Sequence, residues 1–154
     1  APDDQKKDYN DKVTEPTDPS DAGYTFEGWY DSSLKNKWDF DNDTVTEDIT
    51  LYAKWVENQI AIKYLADNGG SVSNDSDTLN QKTGTPDGSL ATPDTGYHFV
   101  DWTDSTGTEV STDSSFVPSK NAESGLYEEE TYTAHFEKNQ YICIVNFQLK
   151  NKLW

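Results

Sequence analysis

The chain repeats itself, and that constrains it more than any other feature. Gly23-Tyr24-Thr25-Phe26-Glu27-Gly28-Trp29-Tyr30-Asp31 returns as Gly96-Tyr97-His98-Phe99-Val100-Asp101-Trp102-Thr103-Asp104. Thr50-Leu51-Tyr52-Ala53-Lys54-Trp55 returns as Thr131-Tyr132-Thr133-Ala134-His135-Phe136, and after two further residues each copy reads Asn-Gln, at Asn58-Gln59 and Asn139-Gln140. Matching blocks in the same order mark a tandem duplication, so the fold must be one small unit made twice.

Both blocks read as strands. Leu51, Ala53 and Trp55 alternate with Tyr52, Lys54 and Val56, and Tyr132, Ala134 and Phe136 keep the pattern. Alternation of this kind places one set on a single face of a pleated strand. Tyr24 and Phe26 share a face, but Trp29 falls on the other unless the strand bulges. Gly28 can host a bulge, yet Asp101 holds that place in the second copy. A further strand is expected after each Asn-Gln, from Ile60 to Leu65 and from Tyr141 to Phe147. The first runs into the turn signal Asp67-Asn68-Gly69-Gly70.

The middles of the copies differ. Ser32 to Phe40 is expected to form a single Ser-capped helical turn. The second copy carries a longer polar stretch, Ser105 to Glu130, and insertions concentrate in surface loops where function varies. The expected domains are therefore residues 1–58, a first module lacking its opening strand; 59–139, a second and enlarged module; and 140–154, a strand-like tail that begins a further repeat or closes the second. A chain with no Met is expected to be a processed or excised piece.

Only 32% of residues are hydrophobic, which raises the question of disorder, but 13% are aromatic, and large rings fill small cores with few side chains. The net charge of −17 comes from scattered acidic residues and argues against nucleic acid and anionic membrane surfaces as partners.

No reactive constellation emerges. Asp39, Asp41, Asp43, Glu47 and Asp48 suggest a calcium loop, but the positions that need Gly and Glu hold Thr44 and Thr50. His98 replaces Thr25 and His135 replaces Lys54, which suits solvent-facing strand positions. The single Cys143 aligns with Ile62 and is expected to be a small buried hydrophobe. No catalytic, cofactor-binding or metal residue is assigned, no cofactor is expected, and the chain is read as a non-enzyme.

Gly23 to Tyr30, with Lys37-Trp38-Asp39-Phe40 and Thr50 to Trp55, resembles the Listeria–Bacteroides repeat, the B-repeat of internalin-type bacterial surface proteins. The second copy resembles a longer, diverged relative through Tyr97, Phe99, Trp102 and Thr133 to Phe136. The resemblance implies an α+β, mostly β fold of tandem β-grasp-like, ubiquitin-type modules on a secreted or cell-wall-anchored protein. It also implies a stalk, spacer or interaction role in adhesion, without catalysis and without portable ligand residues. The partners to expect are neighbouring repeats and a host surface protein or glycan, the latter through the insert. Two further expectations are strand-mediated self-association through Tyr141 to Phe147 and, as an alternative, service as an accessory module of a secreted enzyme.

Overall fold

A computed structural model describes residues 2–145, which hold strands and turns and no helix. The chain divides into two compact units, both discontinuous in sequence. Of the described residues, unit 1 gathers 2–62 with 77–87 and 118–129; unit 2 gathers 63–76, 88–117 and 130–145.

Unit 1 is organised by an antiparallel pair, β1 (Tyr24–Tyr30) and β2 (Tyr52–Glu57). Phe26 lies opposite Trp55 and Gly28 opposite Lys54, so Glu27 is an extra residue and the strand bulges there, with Gly28 at φ +130°. That one-residue slip turns Trp29 onto the face of Phe26. Their rings meet edge to face at 5.6 Å, and Phe26 meets Trp55 at 5.4 Å.

The same device recurs in unit 2, where β7 (Tyr97–Thr103) pairs with β10 (Glu130–Lys138). Phe99 lies opposite Phe136 and Trp102 opposite Ala134, leaving Val100 and Asp101 to face a single residue. Phe99 then reaches both Trp102, at 6.4 Å, and Phe136, at 5.9 Å. Asp101 makes the bulge without a positive φ, so the feature does not require glycine. Its Oδ1 is nevertheless buried and without a hydrogen-bond partner among the described residues.

The remaining strands are β3 (Gln59–Ala66), β4 (Gly70–Val72), β5 (Ser76–Asn80), β6 (Ser89–Pro93), β8 (Glu109–Ser111) and β9 (Ser115–Phe116). One sheet runs β5-β3-β10-β7-β8 and another β4-β6-β9. Along β3, Ile60, Ile62 and Tyr64 are buried while Lys63 is exposed, the alternation its sequence carries. The core of unit 2 is aromatic: Tyr64 and Trp102 are fully enclosed, and Phe116 bridges Trp102 at 5.7 Å and Tyr132 at 4.7 Å.

The β-rich class therefore holds, but its helical share has no counterpart among the described residues. At Ser32 to Phe40 the reason is local. The Asp31 carboxylate accepts the Ser33 amide at 3.1 Å and the Ser33 hydroxyl at 2.7 Å, and Leu34 turns left-handed at φ +56°. A left-handed residue ends helical propagation, and the chain doubles back to a bridge between Tyr30 and Lys37.

The polar stretch Ser105 to Glu130 is not a free loop. Its first half supplies β8 and β9, and residues 118–129 belong to unit 1. There Leu126 is 8% exposed, and a Cβ at Gly23 would come within 2.9 Å of its Cδ2. The Tyr127 amide donates to the Gln81 carbonyl at 2.9 Å.

Over residues 141–145 the expected strand is not formed, and Asn146 and Phe147 lie outside the described residues. Cys143 is exposed rather than buried, because no described strand lies beside it to cover it as β3 is covered at Ile62.

Candidate functional site

The positions that sequence alone marks for chemistry are mostly occupied in holding the repeats together. In unit 1 the Asn58 amide donates to the Gly23 carbonyl at 2.9 Å, and its side-chain Oδ1 accepts the Thr25 hydroxyl at 2.7 Å. In unit 2 the Asn139 amide donates to the Gly96 carbonyl at 2.8 Å, and its Oδ1 lies 3.1 Å from His98 Nδ1. The recurring Asn is thus a latch that ties the end of one strand to the start of its neighbour. His98 is exposed, as expected, and serves as the latch's donor.

His135 is less exposed than a solvent-facing role implies, with a side chain 36% accessible. Its Nδ1 is 2.8 Å from Asp67 Oδ2 and its Nε2 is 2.9 Å from the Thr103 hydroxyl. Asp67 also accepts the Phe136 amide at 3.1 Å. In the neutral ring, Nδ1–H donates to Asp67 and Nε2 accepts from Thr103. The order carboxylate, imidazole, hydroxyl has the sequence of an acyl-transfer relay, but each member is fixed by a strand or turn at a cross-strand contact. Lys54, in the same slot of unit 1, bridges Glu27 at 2.9 Å and lies over the Tyr30 ring, and Tyr30 occupies the slot of Thr103. Both copies thus use this position to clamp neighbouring strands.

The acidic run is spent on a turn. Asp39 accepts the Asp41 amide at 2.9 Å and the Asn42 side-chain amide at 2.8 Å, while the Asp43 carboxylate accepts the Asp39 amide at 2.8 Å. The Asn42 side chain, and then the Asp41 amide, hold Asp39 below the usual carboxylate range. Among the described residues no group of three or more His, Cys, Asp or Glu is placed to hold a metal ion.

A second repeated device escapes pattern reading. Asp31 is held down to about 2 by the Ser33 hydroxyl first and the Asn36 amide next. Asp104, in the same slot, accepts the Thr106 hydroxyl at 2.6 Å and the Thr108 amide at 3.0 Å, and is lowered for the same reason. Each turn places a left-handed residue three positions on, Leu34 or Gly107. The available signal was Asp followed two residues later by Ser or Thr in both copies.

With latches, clamps and turns shared between the copies, the decisive comparison is with known repeats. The Listeria-Bacteroides repeat domain matches residues 1–54, and the Divergent InlB B-repeat domain matches residues 60–140. The chain belongs to the internalin-type B-repeat family. Internalin H of Listeria monocytogenes is 37% identical to the B-repeat chain over 97 residues, 62% of this chain and 17% of that protein. A protein of Evansella cellulosilytica described as a Gly-rich membrane protein is 44% identical over 66 residues, 42% of this chain and 8% of that protein. A second from the same organism, described as a membrane protein, is 45% identical over 62 residues, 40% of this chain and 9% of that protein. The chain spans less than a fifth of these relatives' lengths. No solved structure matches it. Both matching families are repeat modules of internalin-type surface proteins and not enzyme families.

Proposed function

We propose that these B-repeats serve as stalk, spacer and interaction modules in adhesion, within a secreted or cell-wall-anchored bacterial surface protein. The observation that carries the reading is the duplication of structural devices: bulge, latch, clamp and turn recur, and both histidines are engaged in them. A domain built to place its neighbours needs strands that hold their register more than it needs a cavity. The internalin and membrane-protein relatives support a location outside the cell. The finer assignment of each unit to a β-grasp module rests on the family resemblance.

The test is a swap in the parent protein. Removing the repeats should lower bacterial adhesion to host cells, and inserting the matching segment of internalin H should restore it. Unchanged adhesion after removal overturns the reading.

The alternative, a specific host-protein or glycan site on the polar insert, draws support from its exposed Glu128 and Glu129. The burial of Leu126 beside them favours a structural role instead. Retained binding of the chain to a glycan array, lost on Glu128→Gln/Glu129→Gln, would reverse that order.

A further inference from the structure

Asn68-Gly69 is the one Asn-Gly step in the sequence, and it lies in the turn that joins β3 to β4. The fold requires one of these two residues and leaves the other uncommitted. Gly69 turns at φ +114°, and a Cβ there would come within 2.3 Å of the Tyr97 ring, so the turn needs glycine at this point. Asn68 is exposed and its backbone is outside the left-handed region. Among the described residues its side chain makes no hydrogen bond, and the Gly69 amide finds no acceptor.

The turn is pinned on both sides. Before it, the Asp67 amide donates to the Ala134 carbonyl at 3.0 Å, and the Asp67 carboxylate holds both His135 and the Phe136 amide. After it, the Gly69 carbonyl accepts the Asp94 amide at 2.8 Å, and Gly70 lies so close to the Phe136 ring that a Cβ would meet it at 2.4 Å. A free carboxamide is therefore kept next to a free backbone amide, with no side chain on Gly69 to screen the approach.

We propose that Asn68 is a site of spontaneous deamidation, and that the reaction releases the Asp67–His135 clamp. The Gly69 amide nitrogen attacks Asn68 Cγ and forms the N–Cγ bond of a five-membered succinimide. The Cγ–Nδ2 bond breaks, and the departing group takes up the Gly69 amide proton and leaves as ammonia. Water then opens the ring at either carbonyl, giving aspartate or isoaspartate at position 68. Water is the only co-reactant, and nothing is oxidised or reduced. Both products add a negative charge beside Asp67, and isoaspartate also lengthens the main chain by a methylene between two pinned residues. The turn that holds His135 and Phe136 is thereby displaced. This goes beyond the spacer reading and does not rest on it.

The experiment ages the full chain in neutral and mildly alkaline buffer, at a fixed temperature below its melting range. Peptide mapping by mass spectrometry reads each asparagine, and anion exchange separates the modified forms. The expected result is loss of the Asn68 amide about tenfold or more faster than at any other described asparagine, and faster still in alkali. Asn68→Gln should stay intact over the same period, because its longer side chain closes only a six-membered ring. In the isoaspartate form the His135 ring-nitrogen NMR signals should move, and exchange of the Phe136 amide should speed up by about tenfold. Asn68→Asp supplies the charge without the extra methylene and should keep that amide protected. An Asn68 amide that persists in the folded chain overturns the site, whether or not the urea-unfolded chain loses it. Isoaspartate that leaves His135 and Phe136 unchanged overturns the release of the clamp, and equal exposure in Asn68→Asp overturns the part given to main-chain lengthening.

Discussion

Leu126→Ala decides whether the polar insert is a structural part of unit 1 or a passenger. Leu126 is 8% exposed and lies against Gly23, at the start of the first aromatic block. Truncation removes about three methylene equivalents from an apolar site, roughly 2.4 kcal/mol at about 0.8 per group. Measured Leu→Ala losses in cores begin near 2 kcal/mol and rise with the cavity left behind. A site this close to the surface relaxes in part, so the expected loss is about 2 to 3 kcal/mol. With a urea dependence of about 1 to 3 kcal/mol per molar, the unfolding midpoint should fall by about 0.7 to 3 M. Val117→Ala is the control: that side chain is 54% exposed, and surface changes stay within about 0.5 kcal/mol. A Leu126→Ala shift no larger than the control would refute the packing argument and return the insert to the status of a free loop.

The paired turns predict opposite responses to one exchange. Leu34→Gly should stabilise by about 0.5 to 1 kcal/mol, because the left-handed backbone penalises a side chain that is 42% exposed. Gly107→Leu should destabilise by about 1 to 2 kcal/mol, with a space-filling cause excluded because a Cβ there meets nothing within 4 Å; thermal or urea unfolding measures both. Acid should weaken these turns. Asp31 and Asp104 have folded-state values below their unfolded ones, so their contribution is present above about pH 4 and is lost as pH falls through the folded value, which for Asp31 is about 2. Asp31→Asn should flatten part of that loss in a pH-dependent melting series, and an unchanged profile would count against the turn's role. The indole nitrogens separate the two cores as well. Trp102 donates to the Ser114 carbonyl at 3.2 Å, whereas Trp29 has no partner among the described residues, so Trp102→Phe should cost about 1 kcal/mol more than Trp29→Phe.

Much of the fold was legible because it rests on side-chain period and on self-comparison. The alternation at Ile60, Ile62 and Tyr64 is written plainly, and the mismatch between Phe26 and Trp29 points to the bulge from side-chain period alone. What escaped depends on contacts distant in sequence or on hydrogen bonds within a turn. The helical turn expected at Ser32 was pre-empted by the Asp31 carboxylate, which satisfies the nearby backbone amides more locally than a helix would. Cys143 looked buried because alignment with Ile62 transfers a position in the strand but not the neighbour that covers it. His135 looked solvent-facing because its counterpart, Lys54, cannot do the same acid–base chemistry. Both side chains clamp strands, each with partners that changed alongside it. The latch was half visible: the repeated Asn was plain, its purpose was not.

The discontinuity of unit 1 carries a consequence for the timing of folding. Its first strand pair has left the ribosome, or crossed the membrane, long before Leu126 and Tyr127, which complete its packing. The earlier repeat therefore has to wait, partly assembled, for about 70 further residues, several seconds of synthesis at usual elongation rates. During that interval its aromatic face is open to whatever is nearby. In such a chain an earlier repeat is finished only after part of a later one has emerged, so the order of the sequence is not the order of maturation.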